Sequence, residues 1–218
     1  MNNKVIFGGI WLVLIIYTFG FAPPDRPETL DLILKLSTGH VTGINPLIIT
    51  LFNLMGILPI VYACLLLVDG QGQQLTAWKF AIASFGVGAF ALLPYLALRR
   101  ANPYWQGEKN KLLEITESPL TAIAVTLVIL GLLFFGINSG DWGDFVRQWQ
   151  TSKFIHVMSL DFCLLCLLLP VLVKDDLARR GIENIAIWNI ITFVPLLGTL
   201  TYLCLRPSLI TLSVTSKS

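Results

Sequence analysis

The segment IHVMSLDFCLLCLLLP, Ile155 to Pro170, gathers a histidine, an aspartate and a Cys-x-x-Cys pair inside an otherwise apolar run. Asp161 is the most demanding of these residues. It lies about eight residues into the run, ~12 Å along a helix at 1.5 Å per residue, and its side chain is too short to reach the headgroups. An acid at such depth costs ~2.5–3.5 kcal/mol on insertion scales and faces protein or a wet cavity. Two chemistries follow: a proton- or ion-coupling carboxylate, or a hydrogen-bonding group that locks helices together. Asn53, at similar depth in an earlier run, is the expected partner.

His156 precedes Asp161 by five positions, roughly 140° around a helix, so the two form no dyad. Near a membrane surface it suits an interfacial hydrogen bonder. A neutral imidazole with a free ring nitrogen is also the usual axial ligand of a metal-centred macrocycle, so chlorophyll or another pigment held by His156 is the one cofactor reading available. His40 has no companion at ligand spacing, and no metal site is expected. Cys163 and Cys166 have no cation or helix N-terminus to activate them and read as packing residues, as do Cys64 and Cys204. No nucleotide loop, metalloprotease motif, nucleophile elbow or Ser/His/Asp arrangement occurs. No catalytic residues are expected, and an enzyme is disfavoured.

The elements that must position these residues are membrane helices. With 55% hydrophobic and 13% charged residues and a mean hydropathy of +0.75, the chain is too apolar for an ordinary soluble domain. The net charge of +2 gives no footprint for nucleic acid; the expected partners are the lipid bilayer and other membrane-protein subunits. About 20 apolar residues cross a ~30 Å hydrocarbon core, and six runs qualify: Val5–Ala22, Pro46–Val68, Ala77–Leu98, Pro119–Ile137, Phe154–Val173 and Asn184–Leu205. Lys4 and the small residues near Ala22 imitate a secretory signal, but the run is long for one and Pro23 follows, so a retained helix is expected. After PPDRPE, a helix-excluding entry, ETLDLILKL sets Leu30, Ile33 and Leu34 on one face of a short interfacial amphipathic helix. Asn45 reads as the cap of the second span, with Pro46 in its first turn. The fold class is all-α: a polytopic membrane helix bundle of six transmembrane helices plus that amphipathic helix, forming a single membrane domain over residues 1–218.

LLPYLALRR closes the third run and LTYLCLRP the sixth, matching Tyr95, Leu96, Leu98 and Arg99 with Tyr202, Leu203, Leu205 and Arg206. Two repeat halves are implied, 1–105 and 115–207. Three spans per half would make the repeats inverted. With six spans, the loops divide the 15 Lys and Arg nine to six, a weak positive-inside bias that places both termini on the lumenal or extracytoplasmic side. Ala81, Ser84, Gly86, Gly88 and Ala89 form a small-residue stripe on which another helix could pack. Gly56, Pro59, Pro170 and Pro195 point to kinks, and Asp141–Gln150, with Trp142, Phe145 and Trp149, to an aromatic belt.

DFVRQW, SLDFCLL, KDDLARRG and the closing Y-L-x-L-R, together with PPDRPETLDLI near the start, resemble an uncharacterised family of small bacterial, cyanobacterial and plastid membrane proteins. The resemblance covers about a third of the chain, mostly from Asp141 to Pro207. It implies a thylakoid or plasma-membrane location and no chemistry. Two function classes stand: a non-enzymatic accessory or assembly component of a photosynthetic membrane complex, and a small inverted-repeat transporter with Asp161 and Asn53 in a mid-membrane cavity. A polar cavity at mid-depth, reached from one side, separates the second from the first.

Overall fold

The computed structural model describes residues 3–104, 110–182 and 185–209. Its regular structure is helical throughout the described residues, and four helices are long and apolar enough to cross a membrane. These are α1 (Asn3–Gly20), α3 (Pro46–Asp69), α7 (Pro119–Ser139) and α9 (Lys153–Arg179); between them lie α2 (Thr29–Thr38), α6 (Lys111–Glu117) and α8 (Trp142–Thr151). The third and sixth expected spans are each two short helices instead, α4 (Ala77–Val87) with α5 (Ala89–Leu98), and α10 (Ile185–Phe193) with α11 (Pro195–Leu205).

Both pairs are hairpins that leave the bundle at the end where they entered. For α4–α5, a Cβ placed on Gly70 would lie 2.4 Å from the Ala77 Cβ, so α4 starts beside the end of α3. At the other end of the pair, Arg99 binds Asp69, and the Gln73 side chain donates to the Arg100 carbonyl at 2.6 Å. The chain therefore goes in along α4 and comes back along α5. Gly88, the single residue between them, makes the reversal at φ +50°, a conformation that L side chains rarely adopt. For α10–α11, Ile182 N–H donates to the Leu177 carbonyl and Arg206 returns to Asp176, so this pair also begins and ends beside the last turns of α9. Pro195 opens α11 at its first turn, where a missing N–H costs nothing. A hydropathy window measures how apolar 22 residues are and not which way they run, and so it counts each hairpin as a crossing.

Two long helices and a returning hairpin bring each half back to its starting end. The halves are consequently parallel, and the inverted arrangement expected from six spans is not found. Asp69 at the end of α3 and Asp176 near the end of α9 meet in one cluster, which shows the two helices running the same way. α2 and α8 lie at the opposite end. There Asn45 caps α3 by accepting from Leu47 N–H at 3.0 Å and donates to the Asp141 carbonyl and the Asp144 carboxylate. Hydrogen bonds from Arg147 and Asn45 hold the Asp144 carboxyl below the usual carboxylate range. Leu36 of α2 is buried with Leu51 and Ile155, whereas Leu30 and Leu34 stay exposed. Phe145 and Trp149 of α8 pack on the same cluster, leaving Trp142 exposed.

The meeting of the two halves is ionic. Asp69, fully buried, accepts from Tyr95 Oη at 2.6 Å, from Arg99 Nε at 2.8 Å and Nη2 at 2.6 Å, and from Arg179. Asp176, also fully buried, accepts from Tyr202 Oη at 2.7 Å, Arg180 Nε at 2.9 Å and Arg206 Nη1 at 3.3 Å. In both halves the tyrosine follows its aspartate by 26 residues and the arginine by 30. The Tyr/Arg match read from the sequence is thus half of a repeated Asp–Tyr–Arg unit. Asp175 pairs with Arg99, and Glu117 with Arg180 and Arg206, so four guanidinium groups are balanced by four carboxylates. Asn102 joins the halves by donating to the Asp69 and Gln71 carbonyls and accepting from Arg179 Nε at 2.6 Å.

Two outcomes are expected. In a cysteine-free background, cysteines placed at exposed Gln74 and Ala101 react with a membrane-impermeant maleimide from one and the same side, and a cysteine at Thr42 from the other; labelling of 74 and 101 from opposite sides would restore the six-span arrangement. Removing one carboxylate strands buried cations, a loss of about 3–5 kcal/mol. Asp176→Asn therefore lowers the detergent melting temperature far more than Asp31→Asn, whose ion pair with Lys35 is exposed.

Candidate functional site

A cavity of about 430 Å³ runs from the α2/α8 end of the bundle to the tip of the first hairpin. At its floor is Asp161, only 5% exposed. Its Oδ1 accepts the Ala89 backbone N–H at 2.8 Å. The first turn of any helix leaves backbone N–H groups without partners, and in an apolar interior such a group costs several kcal/mol. Asp161 supplies the missing acceptor at the start of α5, where the helix dipole also favours a negative charge. Its Oδ2 lies against Gly88 and has no hydrogen-bond partner among the described residues; a Cβ on Gly88 would sit 1.7 Å from it. Glycine at this position therefore serves both the positive-φ turn and the close approach of the carboxylate.

The walls are apolar and aromatic. Phe52 and Met55 come from α3, Phe85 and Phe90 from the hairpin tip, and Phe154 and Met158 from α9. Trp11 Nε1 donates to the Phe90 carbonyl at 3.0 Å, fixing α5 against α1. Thr18 of α1 also lines the cavity, and its buried Oγ1 has no hydrogen-bond partner among the described residues. At the mouth, Lys153 Nζ pairs with Asp25 at 3.1 Å, and Lys153 N–H donates to the Pro24 carbonyl at 3.3 Å. Arg26 Nε donates to the Thr151 carbonyl at 3.0 Å. The PPDR entry is thereby strapped across the start of α9 beside the opening.

The expected site residues separate. Asp161 does turn inward, away from lipid. Asn53 does not meet it: the amide is exposed and donates to the Ile49 carbonyl of its own helix at 2.8 Å. The pairing rested on an inverted repeat, and in parallel halves no symmetry axis brings these depths together. His156 is buried outside the cavity lining, stacked between Trp149, with ring centroids 4.3 Å apart, and Tyr17 at 5.7 Å. Its Nδ1 is 2.9 Å from the Trp149 carbonyl, which can only accept, so the ring proton sits on Nδ1; Nε2 then accepts from Tyr17 Oη at 2.8 Å. Both nitrogens are engaged, and a pigment ligand at His156 would have to displace Tyr17. Cys163 is exposed on α9 and Cys64 is buried among apolar side chains. Of the small-residue stripe, Ala81, Ser84, Gly88 and Ala89 are buried inside the chain and Gly86 is exposed.

Gly88, Ala89, Thr18 and the Lys153–Asp25 pair were not foreseen as site residues. The F-G-V-G sequence at 85–88 was the available signal, since two glycines flanking one residue in an apolar run can mark a break as well as a packing stripe. No protein-family model matches the chain, no curated protein matches its sequence, and no solved structure matches its fold.

Removing the acceptor at 161 should be costlier than removing its charge. Asp161→Leu leaves Ala89 N–H buried and unpaired, a loss of about 1–3 kcal/mol, whereas Asp161→Asn keeps an amide oxygen there and melts closer to the parent. Gly88→Ala, strained at φ +50° and in collision with Asp161, should be at least as destabilising as the leucine variant. Equal melting temperatures for all three would show that the carboxylate does not cap α5.

Proposed function

We propose that the protein is a membrane transport protein that admits a small solute from the α2/α8 end into the cavity above Asp161. The observation that carries this reading is a buried carboxylate with one oxygen unpartnered among the described residues, on the floor of a cavity at the tip of a hairpin. Irregular backbone at depth is tolerated where it lines a cavity, and intramembrane acids mark solute or ion paths. The hairpin is the natural moving part. It hangs on the ionic cluster at one end, and its tip is held by single hydrogen bonds from Trp11 and to Asp161. Tilting that tip would open the floor toward the opposite end.

The reading as an accessory subunit of a photosynthetic complex relied on the small-residue stripe and the aromatic segment as contact surfaces. The stripe is largely buried within this chain and Phe145 and Trp149 are half-buried, while Trp142 and Val146 stay exposed; the carrier reading is preferred because the cavity above Asp161 has no role in an accessory subunit. The location follows the same logic. With hairpins in place of two spans, Lys4, Lys79, Arg99, Arg100, Lys111, Lys174, Arg179, Arg180 and Arg206 fall at the end with the ionic cluster, against Arg26, Lys35, Arg147 and Lys153 at the mouth. The positive-inside rule then puts the cluster and both ends of the described chain in the cytoplasm, and the mouth outside. This reverses the orientation drawn from six spans.

The test uses proteoliposomes on a solid-supported membrane, challenged with concentration jumps of protons, sodium, small organic amines and carboxylates. At least one solute should evoke a current in the parent protein that falls ten-fold or more in Asp161→Asn. Currents unchanged by the substitution, or none with any solute, would dismiss the proposal.

A further inference from the structure

We infer that the solute is a hydrophobic organic cation: a protonated amine on an aromatic or alkyl body. This rests on the reading of the cavity as the solute site, and it adds the chemistry that the lining selects. The volume of about 430 Å³ lies in the range of small-molecule sites and far exceeds what a bare inorganic ion needs. Four phenylalanines, Phe52, Phe85, Phe90 and Phe154, line it. A dehydrated metal ion would lose its hydration there with one carboxylate oxygen and little else to replace it. An amine loses less. Its body displaces water from apolar walls, and aromatic faces attract the ammonium by ~0.5–2 kcal/mol each when suitably placed.

The sign of the charge follows from which groups are already neutralised. Lys153, the cation of the lining, is paired with Asp25 at the mouth. Asp161 Oδ1 is taken by Ala89 N–H, and Oδ2 is left as an acceptor on the floor. An anion would meet the Asp161 carboxylate with no lining cation free to offset it. An ammonium offers N–H donors to Asp161 Oδ2, which has no hydrogen-bond partner among the described residues. A neutral molecule of the same shape would fill the walls and leave the carboxylate uncompensated, so discrimination should lie in the charge.

Equilibrium binding to the full chain in nanodiscs tests this with three probes of similar size: 2-phenylethylamine, 2-phenylethanol and 3-phenylpropionate. The amine should bind at least ten-fold more tightly than the alcohol, and the carboxylate more weakly than either. In Asp161→Asn, shown to be monodisperse, the preference for amine over alcohol should shrink to within two-fold. Val157→Trp, which fills the cavity and keeps the carboxylate, should weaken all three probes together. Equal affinity for amine and alcohol in the parent protein, tighter binding of the carboxylate, or no binding of the amine at millimolar concentration would each overturn the inference. The outcome is separable from that of the transport assay. Amine binding without current leaves the ligand class standing and removes transport; a proton or sodium current without amine binding does the reverse.

Discussion

Eight ionised groups withdrawn from water govern this architecture. Burying a guanidinium or a carboxylate alone is prohibitive, and burying them together is tolerable only when nearly every donor and acceptor finds a counterpart. Asp69 and Asp176 each meet that condition by collecting a tyrosine and an arginine from the end of the far leg of a hairpin, in addition to Arg179 and Arg180 at the end of α9. For the partners to arrive, the chain must come back to the end it left. The requirement that charges be paired thus decides the direction of two helices that hydropathy would have sent across. It also makes the two halves interdependent, since Arg179 of the second half serves Asp69 of the first.

The hairpin tip poses the complementary problem. A helix that begins in the middle of an apolar bundle exposes N–H groups where no water can reach them, and the first hairpin solves this with Asp161 from the second half. The second hairpin has a different solution, because Pro195 removes a donor at the first turn of α11. The offset that pairs Tyr95 with Tyr202 aligns Gly88 with Pro195 and Asp161 with Leu54. One tip is glycine under a carboxylate; the other is proline in apolar company. The halves share a frame and differ where a solute would be held.

The residue pattern yielded the membrane helices at α1, α3, α7 and α9, the amphipathic α2, the Asn45 cap and an inward Asp161. Each rests on a local cause: an apolar length, a capping amide, or a charge too costly to face lipid. The reversals were not legible, because they depend on partners 26 and 30 residues away. An aspartate ending one apolar run and a tyrosine and arginine ending the next gives no sign, read singly, that the three touch. The Tyr/Arg repeat was visible; its aspartate was hidden within Val-Asp-Gly and Lys-Asp-Asp, which look like ordinary span ends. Asn53 misled for a related reason, since depth along a helix says nothing of azimuth. By depth it matches Asp161, yet it faces outward.

A chain folded in this way has an undemanding route into the bilayer. In the orientation proposed above, with the cluster on the side of synthesis, none of its eight ions would be carried through hydrocarbon, and each hairpin would dip in and withdraw without exporting a hydrophilic segment. Among the described residues, only the short stretches bearing α2 and α8 would pass to the far side. The translocation machinery would then handle two brief polar links, and the ionic core would assemble afterwards from pieces that stayed at home.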